Sequence, residues 1–413
     1  MRVLTGRAAE KRIRELAARA SRLEAVEPRV RKIIADVRRN GDRALVKYAR
    51  KWEGLQGGQP LRVIPSEIRA AWKAASTDFR SALEKAAANI RRFCEWQKPA
   101  EWMRNRDGIL LGQLVRPLKS VGCYVPGGLH PLPSTLLMTV IPAQVAGVCE
   151  IRVVSPNPRP ETLAAAALLG VTELYRVGGA HAIAALAYGT RTIPRVDKIV
   201  GPGNAYVTAA KKLVAFDCSI DFLAGPTEVA IVAERGEATF MAADLVAQAE
   251  HDPEALAVFI TSARALAAKV AACADELAKT NEIARKSLAK HGVALVASSH
   301  AQALHWANAI APEHITVARE DVPAVRNAGS VFVGDDSPQA VGDYASGPNH
   351  VLPTAGAARY RGGLSVFDFL KLITVQELSP QSLRRLAPVV TGLAEAEGLR
   401  AHAESVRVRC AHA

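Results

Sequence analysis

Between residues 121 and 226, a short apolar run is followed by a longer helical run four times in succession. The strand-like runs are SVGCYV, EIRVVSP, ELYRVGG and KIVGPGN, and each one precedes a segment rich in alanine or leucine, such as ETLAAAALLGV. This alternation is typical of a parallel sheet whose strands are joined by crossover helices. We therefore predict an α/β fold in which residues 121–226 form a Rossmann-like domain.

A second stretch of the same kind covers residues 227–364. Its strand-like runs are EVAIVAE, ALAVFITS, VALVAS, HITVA and SVFVG, with helical segments among them. After Gly334 the pattern loosens into a long loop rich in glycine and proline, and loops of this length usually carry function. The sequence thus predicts two Rossmann-like parallel-sheet domains, with active-site loops at the ends of the strands.

The two ends of the chain differ from these blocks. Residues 1–120 are predicted as a mainly helical segment that leads into the first α/β domain. Apolar residues there recur at steps of three and four, as Val30, Ile33 and Val37 do. Residues 365–413 are predicted as a C-terminal helical tail.

The basic excess of the chain lies entirely in its first quarter. The net charge is +13, and residues 1–100 hold 24 Lys and Arg against 11 Asp and Glu. Such an excess could bind nucleic acid or another anion. It could equally be a solvated helical face, because arginine alternates there with alanine and leucine at helical spacing. No recognised nucleic-acid motif accompanies the basic residues, so we favour the solvated face and predict no nucleic-acid partner.

Composition also bears on the compartment. No run of 18 apolar residues is present, so we predict no membrane partner. The N-terminus lacks the apolar core of a signal peptide, and the six cysteines are scattered without a CxxC pair. Both features predict a cytoplasmic protein with free thiols. Cys123 and Cys149 could be nucleophiles, but no His or Lys stands near either one in sequence, and we favour a buried packing role.

Glycine-rich turns in the first domain leave a nucleotide site open. Gly201-Pro202-Gly203 follows a strand, yet no third glycine completes the GxGxxG fingerprint. Such turns, with the helix N-termini behind them, could still hold the phosphates of a nucleotide.

Four polar residues outside these turns could bind a metal. Gln248 and His251 are three residues apart at the end of a helical run, which places both on one face. Asp343 lies in the long loop and His402 on the last helix. Nitrogen and oxygen donors of this kind suit a catalytic zinc ion. A long chain also offers such a set by chance, so the residues alone do not decide.

A carboxyl and an imidazole stand side by side at Glu313 and His314, just before the run ITVA. They could be a paired acid and base, or a surface carboxylate beside a core histidine. Adjacent residues in a strand face opposite sides, so only one of them would face a site unless a turn intervenes.

Eight motifs resemble, in order along the chain, those of the histidinol dehydrogenase family. They are VGGAHAIAALAYGT, KIVGPGNAYV, DFLAGPTE, DLVAQAEHDP, APEHI, GDYASGPNHVLPT, LSVFDFLK and EGLRAHAESV. The resemblance covers the chain from about Val30 to Arg407. Eight motifs in one order are far more specific than any single motif, and they favour a functional interpretation of the polar residues over chance.

The resemblance implies an enzyme that uses zinc and NAD to oxidise L-histidinol through the aldehyde to L-histidine, the last step of histidine biosynthesis. It implies that Glu313 and His314 are the catalytic acid–base pair. The implied zinc ligands are Gln248, His251, Asp343 and His402. The implied NAD contacts are Tyr124, His181 and Asn204. The implied substrate-binding residues are Thr227, Gln248, His251, His314, Asp343, His350, Glu397 and His402.

The family is a homodimer in which the C-terminal tail reaches into the site of the partner. The resemblance therefore implies that residues 365–413 are a dimerising tail and that residues 227–364 complete the catalytic site. Glu397 and His402 would then act in the other subunit.

Three departures from the family pattern affect cofactor and substrate contacts. His181 stands where the family has Gln, and Thr227 where it usually has Ser. The run HPLPST at 130–135 differs from the usual Tyr-Pro-Ser-Ser, although Ser134 is retained. These changes leave open a second interpretation, a relative of the family that oxidises another small alcohol with NAD. The intact Glu397 and His402 weigh against it.

Overall fold

The computed structural model describes residues 1–20, 23–127 and 131–411. His130, which begins the departing 130–135 loop, lies outside these residues. The strands, numbered along the chain, are β1 (Arg2–Thr5), β2 (Trp102–Arg106), β3 (Ile109–Pro117), β4 (Ser120–Tyr124), β5 (Glu150–Val154), β6 (Glu173–Tyr175), β7 (Lys198–Val200), β8 (Ser219–Ile220), β9 (Glu228–Val232), β10 (Leu256–Thr261), β11 (Val293–Val296), β12 (His314–Val317), β13 (Ser330–Val333) and β14 (Leu370–Leu378).

Several helices begin directly after a residue whose side chain caps the helix N-terminus. Asn204, Asn281 and Ser299 each accept a backbone N–H of the first turn that follows them. Within the described ranges, no helix is both long and apolar enough to cross a membrane. The α-helices are α1 (Gly6–Ala17), α2 (Glu27–Asn40), α3 (Asp42–Trp52), α4 (Pro65–Ala74), α5 (Thr77–Gln97), α6 (Pro133–Ala146), α7 (Pro160–Leu168), α8 (Gly179–Tyr188), α9 (Ala205–Val214), α10 (Ala238–Ala249), α11 (Arg264–Leu277), α12 (Glu282–Lys290), α13 (His300–Ile310), α14 (Gln339–Tyr344), α15 (Pro380–Ala396) and α16 (Arg400–Ala411).

Strands β4 to β8 form a five-stranded parallel sheet in the order β6-β5-β4-β7-β8. Every residue of β4 is buried, as expected for a strand that helices cover on both faces. The winding of the sheet reverses between β4 and β7. Doubly wound sheets bind ligands in the crevice at such a switch point. The predicted Rossmann-like sheet in the first block is confirmed.

A six-stranded parallel sheet has the order β1-β11-β10-β9-β12-β13. Its strands β9 to β13 repeat the winding of the first sheet, with the reversal between β9 and β12. Strands β9 and β10 are buried along their whole length. The prediction of a second parallel sheet is therefore confirmed as well.

The N-terminal segment contributes to this second sheet. Strand β1 pairs with β11, and α1 packs on α13. Its next helix, α2, buries Val30, Ile33 and Val37 while Arg38 and Arg39 stay exposed. The buried face contacts α8 and α9. The basic residues of α2 thus line the solvent side of an amphipathic helix.

The chain forms two compact units. Both parallel sheets belong to the first unit, which comprises Met1–Gln97 and Lys119–Phe369. The second unit comprises Lys98–Leu118 and the chain from Leu370 onward. It contains the antiparallel sheet β14-β3-β2 with α15 and α16, which pack on each other. The domain boundaries given by the sequence stay a prediction.

Candidate active site

The adjacent residues Glu313 and His314 lie where the chain turns into β12. Helix α13 ends at Ile310. The next residue, Ala311, has a φ of 51°, in the left-handed region, and Pro312 follows it. The strand begins only at His314, so Glu313 stands outside it. Both residues are buried, and Glu313 Oε2 is 3.6 Å from His314 Nδ1. The turn that the sequence left open is present, and it brings the two side chains together.

Two donors hold the carboxyl group of Glu313. The backbone N–H of Glu228 donates to its Oε2 over 2.8 Å, and the Thr227 hydroxyl donates to the same oxygen. Burial raises the pKa of Glu313 well above its ordinary value, whereas these two hydrogen bonds lower it. A carboxyl group whose pKa is raised towards neutrality can both take up and release a proton.

The ring of His314 is oriented by the backbone. Its Nδ1 lies 3.1 Å from the carbonyl oxygen of Glu228, which only accepts, so Nδ1 carries the hydrogen. The lone pair of the neutral ring is therefore on Nε2, which lies 3.8 Å from Asp343 Oδ1. Burial lowers the pKa of His314, and the Asp343 carboxylate opposes this shift. The ring is thus held as a base that presents Nε2.

The pair lies at the amino ends of β9 and β12. His314, the first residue of β12, pairs there with Val229 of β9. Active-site loops are predicted at strand ends, and parallel sheets more often bind ligands at the carboxyl ends. Here the turns that lead into the two strands, at Gly225-Pro226 and Ala311-Pro312, deliver the polar side chains. The strands themselves are mostly apolar and buried, so these polar side chains lie in the turns or directly beside them.

Gln248 extends the same network from the last turn of α10. It is 3% exposed, and its Nε2 donates to the hydroxyl oxygen of Thr227. Thr227 in turn donates to Glu313, so three side chains form one continuous chain of hydrogen bonds. Because the amide nitrogen of Gln248 is committed to Thr227, the oxygen is the atom that it would offer to a ligand.

The other implied ligands of the first unit lie around His314. Helix α14, which carries Asp343, packs against α10. His251 follows α10 and is exposed. Burial lowers the pKa of His350, the Asp343 carboxylate opposes this, and the nearby His314 and His251 lower it further. His350 Nδ1 also lies 2.7 Å from the Asp343 carbonyl oxygen.

This donor set fits a divalent metal in its chemistry. An amide oxygen, an imidazole and a carboxylate are donors that borderline metals such as zinc accept. The described residues contain no group of three or more His, Cys, Asp or Glu that could hold a metal. The implied zinc ligands do not form such a group. Gln248 is not one of these four residue types, and His402 belongs to the second unit.

Two implied cofactor contacts flank the switch point of the first sheet. Tyr124 ends β4, and its hydroxyl oxygen accepts the N–H of Gly179 over 3.1 Å. Asn204 caps α9 directly after the turn that follows β7. Within that turn Gly201 has a φ of 114°, and a Cβ there would collide with the Tyr124 carbonyl oxygen. Only glycine allows the two strand ends to approach so closely.

A buried ion pair fixes the backbone of this turn through hydrogen bonds. Lys211 and Asp221 are in contact, and both side chains are nearly excluded from solvent. Lys211 Nζ donates to the Gly201 carbonyl oxygen over 3.0 Å, and Asp221 Oδ2 accepts the Gly201 N–H over 2.8 Å. Both backbone groups of Gly201 are therefore fixed, which sets the position of the capping Asn204.

His181, the third implied cofactor contact, lies inside the protein. It is 1% exposed, and its Nε2 is 3.0 Å from Glu53 Oε1. The same oxygen accepts the N–H of Gly178 over 2.7 Å. The stacked rings of Tyr48 and Trp52 lie against the imidazole, with centroids 5.4 and 5.8 Å away. Its contact with a cofactor stays a prediction.

Glu397 and His402 lie in the second unit and are exposed on the chain. Glu397 follows α15, and His402 is in the first turn of α16. The structure therefore leaves both side chains free of the packing within their own unit.

Cysteine chemistry finds no support at the first sheet. Cys123 is fully buried in β4, and burial raises its pKa to about 12. Such a group is a neutral thiol at pH 7, and the thiolate is the nucleophilic form. This agrees with the packing role that the sequence favours for Cys123. For Cys149 the predicted buried role is wrong, because that side chain is exposed.

Sequence reasoning missed Glu228, the first residue of β9. It is 4% exposed, and its main chain contacts both Glu313 and His314. The one signal in the sequence is an acidic residue at the head of the apolar run EVAIV, where a buried carboxylate needs a partner.

Comparison with known proteins gives the family. The histidinol dehydrogenase family model matches residues 16–410. Histidinol dehydrogenase of Methanothermobacter thermautotrophicus is 47% identical, with 97% of each chain covered, and that of Aquifex aeolicus is 45% identical, with 96% of each covered. The crystal structure of histidinol dehydrogenase from Elizabethkingia anophelis superposes with a TM-score of 0.94 at 34% identity, covering 99% of this chain and 98% of that one. The chain therefore belongs to the histidinol dehydrogenase family.

Proposed function

We propose that this protein is a zinc-dependent, NAD-using oxidoreductase that converts L-histidinol through L-histidinal to L-histidine, the last step of histidine biosynthesis. The observation that carries the proposal is the buried acid–base pair. Glu313 and His314 lie in contact, both are held by Glu228, and His314 presents Nε2 towards Asp343. Family membership agrees with this activity.

His314 is the base for the alcohol. Its Nδ1 hydrogen is held by the Glu228 carbonyl oxygen, so Nε2 is the atom that takes the proton of the hydroxyl group. When bound, NAD would supply the hydride acceptor for each oxidation. The lowered pKa keeps the ring neutral, and therefore able to act as a base, at neutral pH.

Glu313 serves the second oxidation, in which water adds to the aldehyde. Its Oε2 accepts the hydrogen bonds of Thr227 and Glu228, and a carboxyl group held in this way can orient a water molecule and take its proton. Thr227 is thereby placed between Glu313 and Gln248, so that the substrate-contact position also sets the position of the acid–base pair.

The residues that would hold zinc are Gln248, His251 and Asp343 of one chain, together with His402 of the partner subunit. When bound, zinc supplies a Lewis acid that fixes the orientation of a substrate with nitrogen donors. Tyr124 and Asn204 would hold NAD at the switch point of the first sheet, and His181 would contact it from α8. Thr227, His350 and Glu397 would complete the substrate contacts.

We expect purified protein to form two NADH for each histidinol consumed, because each of the two oxidations passes one hydride to NAD. The measurement is NADH absorbance against histidinol loss, with and without a chelator. Chelation should abolish the activity, and zinc should restore it. One NADH per substrate with aldehyde accumulating would contradict the two-step reaction. Inactivity towards histidinol, with activity on another small alcohol, would favour the relative that Thr227 and His181 suggest.

We propose further that the active enzyme is a homodimer in which the second unit of one chain completes the site of the other. The support is that Glu397 and His402 are exposed on their own unit while the family resemblance gives both a role at the site. The first unit alone brings together only part of the implied ligand set.

Mixing two inactive variants tests this arrangement. His314→Ala and His402→Ala chains, allowed to exchange, should recover about a quarter of the wild-type activity, because half of the dimers are mixed and each mixed dimer has one intact site. A mixture of His314→Ala with His251→Ala is the matched control. Both defects then lie in the first unit, every site carries one of them, and no recovery is expected. Equal recovery in the two mixtures, or none in the first, would contradict shared sites.

A further inference from the structure

The main chain of Glu228 hydrogen-bonds to the side chains of both members of the acid–base pair. Its N–H donates to Glu313 Oε2 over 2.8 Å, and its carbonyl oxygen accepts from His314 Nδ1 over 3.1 Å. A shift of the Glu228 main chain would therefore change the position of the Glu313 carboxyl group and the orientation of the His314 imidazole together.

The side chain of Glu228 is held by an arginine from the N-terminal segment. Arg19 Nε donates to Glu228 Oε1 over 2.7 Å, and Arg19 Nη2 donates to Oε2, so the pairing is bidentate. Glu228 Oε1 also accepts the N–H of Ala355, in the long loop, over 3.0 Å. The Glu228 side chain is 5% exposed and that of Arg19 is 17% exposed. Such a pair is little screened by water and has a fixed geometry.

Arg19 also reaches the approach to β12. Its Nη1 donates to the Ile310 carbonyl oxygen over 2.6 Å, and its Nη2 lies 3.4 Å from that of Ala311. Nη1 donates in addition to the Leu16 carbonyl oxygen over 2.6 Å. One guanidinium group thus joins the end of α1, the residues directly before Glu313, and the head of β9.

We infer that Arg19 and Glu228 are a positioning pair that fixes Glu313 and His314 for the reaction; this rests on the proposed function. The pair sets the two strand entries that carry the acid and the base, from a part of the chain that supplies no group to the chemistry itself. The left-handed residue Ala311 lies between the Ile310 contact and Glu313, so its turn is braced at the point where the chain must change direction.

Arg19→Lys is the sharpest test, because it keeps the charge and the burial. A lysine ammonium is a point donor and cannot form the bidentate pair and the Ile310 bond together. We expect kcat to fall by about 10- to 100-fold, the size seen when residues behind a reacting group are altered. The KM values for histidinol and NAD, and the zinc content, should stay within about twofold of wild type, because the pair touches neither ligand.

Arg14→Lys is the matched control, since Arg14 belongs to α1, which ends two residues before Arg19, and is exposed. It should leave kcat unchanged. Glu228→Gln is the second variant, because it keeps an oxygen for the Ala355 N–H while it removes the charge. The same split between kcat and KM is expected. In Arg19→Ala, added guanidinium ion at a non-denaturing concentration should restore part of kcat, and ammonium ion should not.

The outcomes separate the inference from the proposed function. A folded Arg19→Lys enzyme with full kcat would overturn the positioning role alone. It would also be overturned if both variants lost zinc and thermal stability and showed equal changes in kcat and KM. That result would indicate a pair with a purely structural role. A wild-type protein that forms no NADH from histidinol would overturn the proposed function instead, and the positioning role with it.

Discussion

His314→Ala is expected to lower kcat for histidinol-dependent NADH formation by about 10²- to 10⁴-fold, the usual contribution of a general base. The variant loses the nitrogen that takes the hydroxyl proton, since Nε2 is the free position of a ring whose Nδ1 is bound to the Glu228 carbonyl oxygen. Zinc content should not change, because His314 is not an implied ligand. Steady-state kinetics and metal analysis on the same sample are the measurement.

His314→Asn separates the chemistry from the packing. The asparagine amide can still donate to the Glu228 carbonyl oxygen, so that the buried acceptor keeps a partner. We expect the same loss of kcat as with alanine, together with a smaller loss of thermal stability. His305→Ala, an exposed histidine of α13, is the control and should be fully active. Activity within about tenfold of wild type in both His314 variants would exclude a general-base role.

Much of the fold follows from local patterns in the sequence. Runs such as EVAIV and LAVFIT are apolar throughout, and both are fully buried parallel strands. The alternation of strand and helix therefore predicts two parallel sheets. It does not predict that β1 pairs with β11, or that β14 pairs with β3 in the second unit. These pairings join distant parts of the chain, and local periodicity has no information about them.

The candidate site depends on backbone conformations that cannot be predicted from the residue types. Ala311 adopts a left-handed conformation, and alanine gives no sign of it, because glycine and asparagine are the residues that favour that region. The contact between Glu313 and His314 follows from that turn. Arg19 is one of many basic residues in the first quarter, and its sequence neighbours do not distinguish it. Only the fold shows that this one is turned inward to Glu228.

The proposed metal site depends in the same way on residues from separated segments. Gln248 and His251 are three residues apart, yet one is buried in a hydrogen-bonded network and the other is exposed. Spacing predicts that they share a helix face, but α10 ends at Ala249, so His251 lies beyond the helix. Spacing also does not predict which one is already engaged. Among the proposed ligands, the exposed His251 can be replaced with the least effect on the packing of the protein, so its replacement gives the clearest test of zinc binding.

His251→Ala is expected to lower zinc affinity by at least about 10²-fold, because even residues behind metal ligands change affinity by up to that amount. Activity should fall with zinc occupancy and return in part at high zinc concentration. The free energy of unfolding provides a second measurement. Added zinc should raise the melting temperature of the wild type by mass action and should leave that of the variant nearly unchanged at the same concentration.

His291→Ala is the control, since His291 is a partly exposed histidine paired with Glu254, 3.1 Å away, and should bind zinc as the wild type does. Because His251 is exposed, its removal should cost little stability without metal, so a lost response to zinc reports binding rather than unfolding. A variant that keeps full zinc stoichiometry after dialysis would remove His251 from the ligand set. The acid–base role of Glu313 and His314 would stand in that case, because its support is the geometry at β9 and β12 and not the metal.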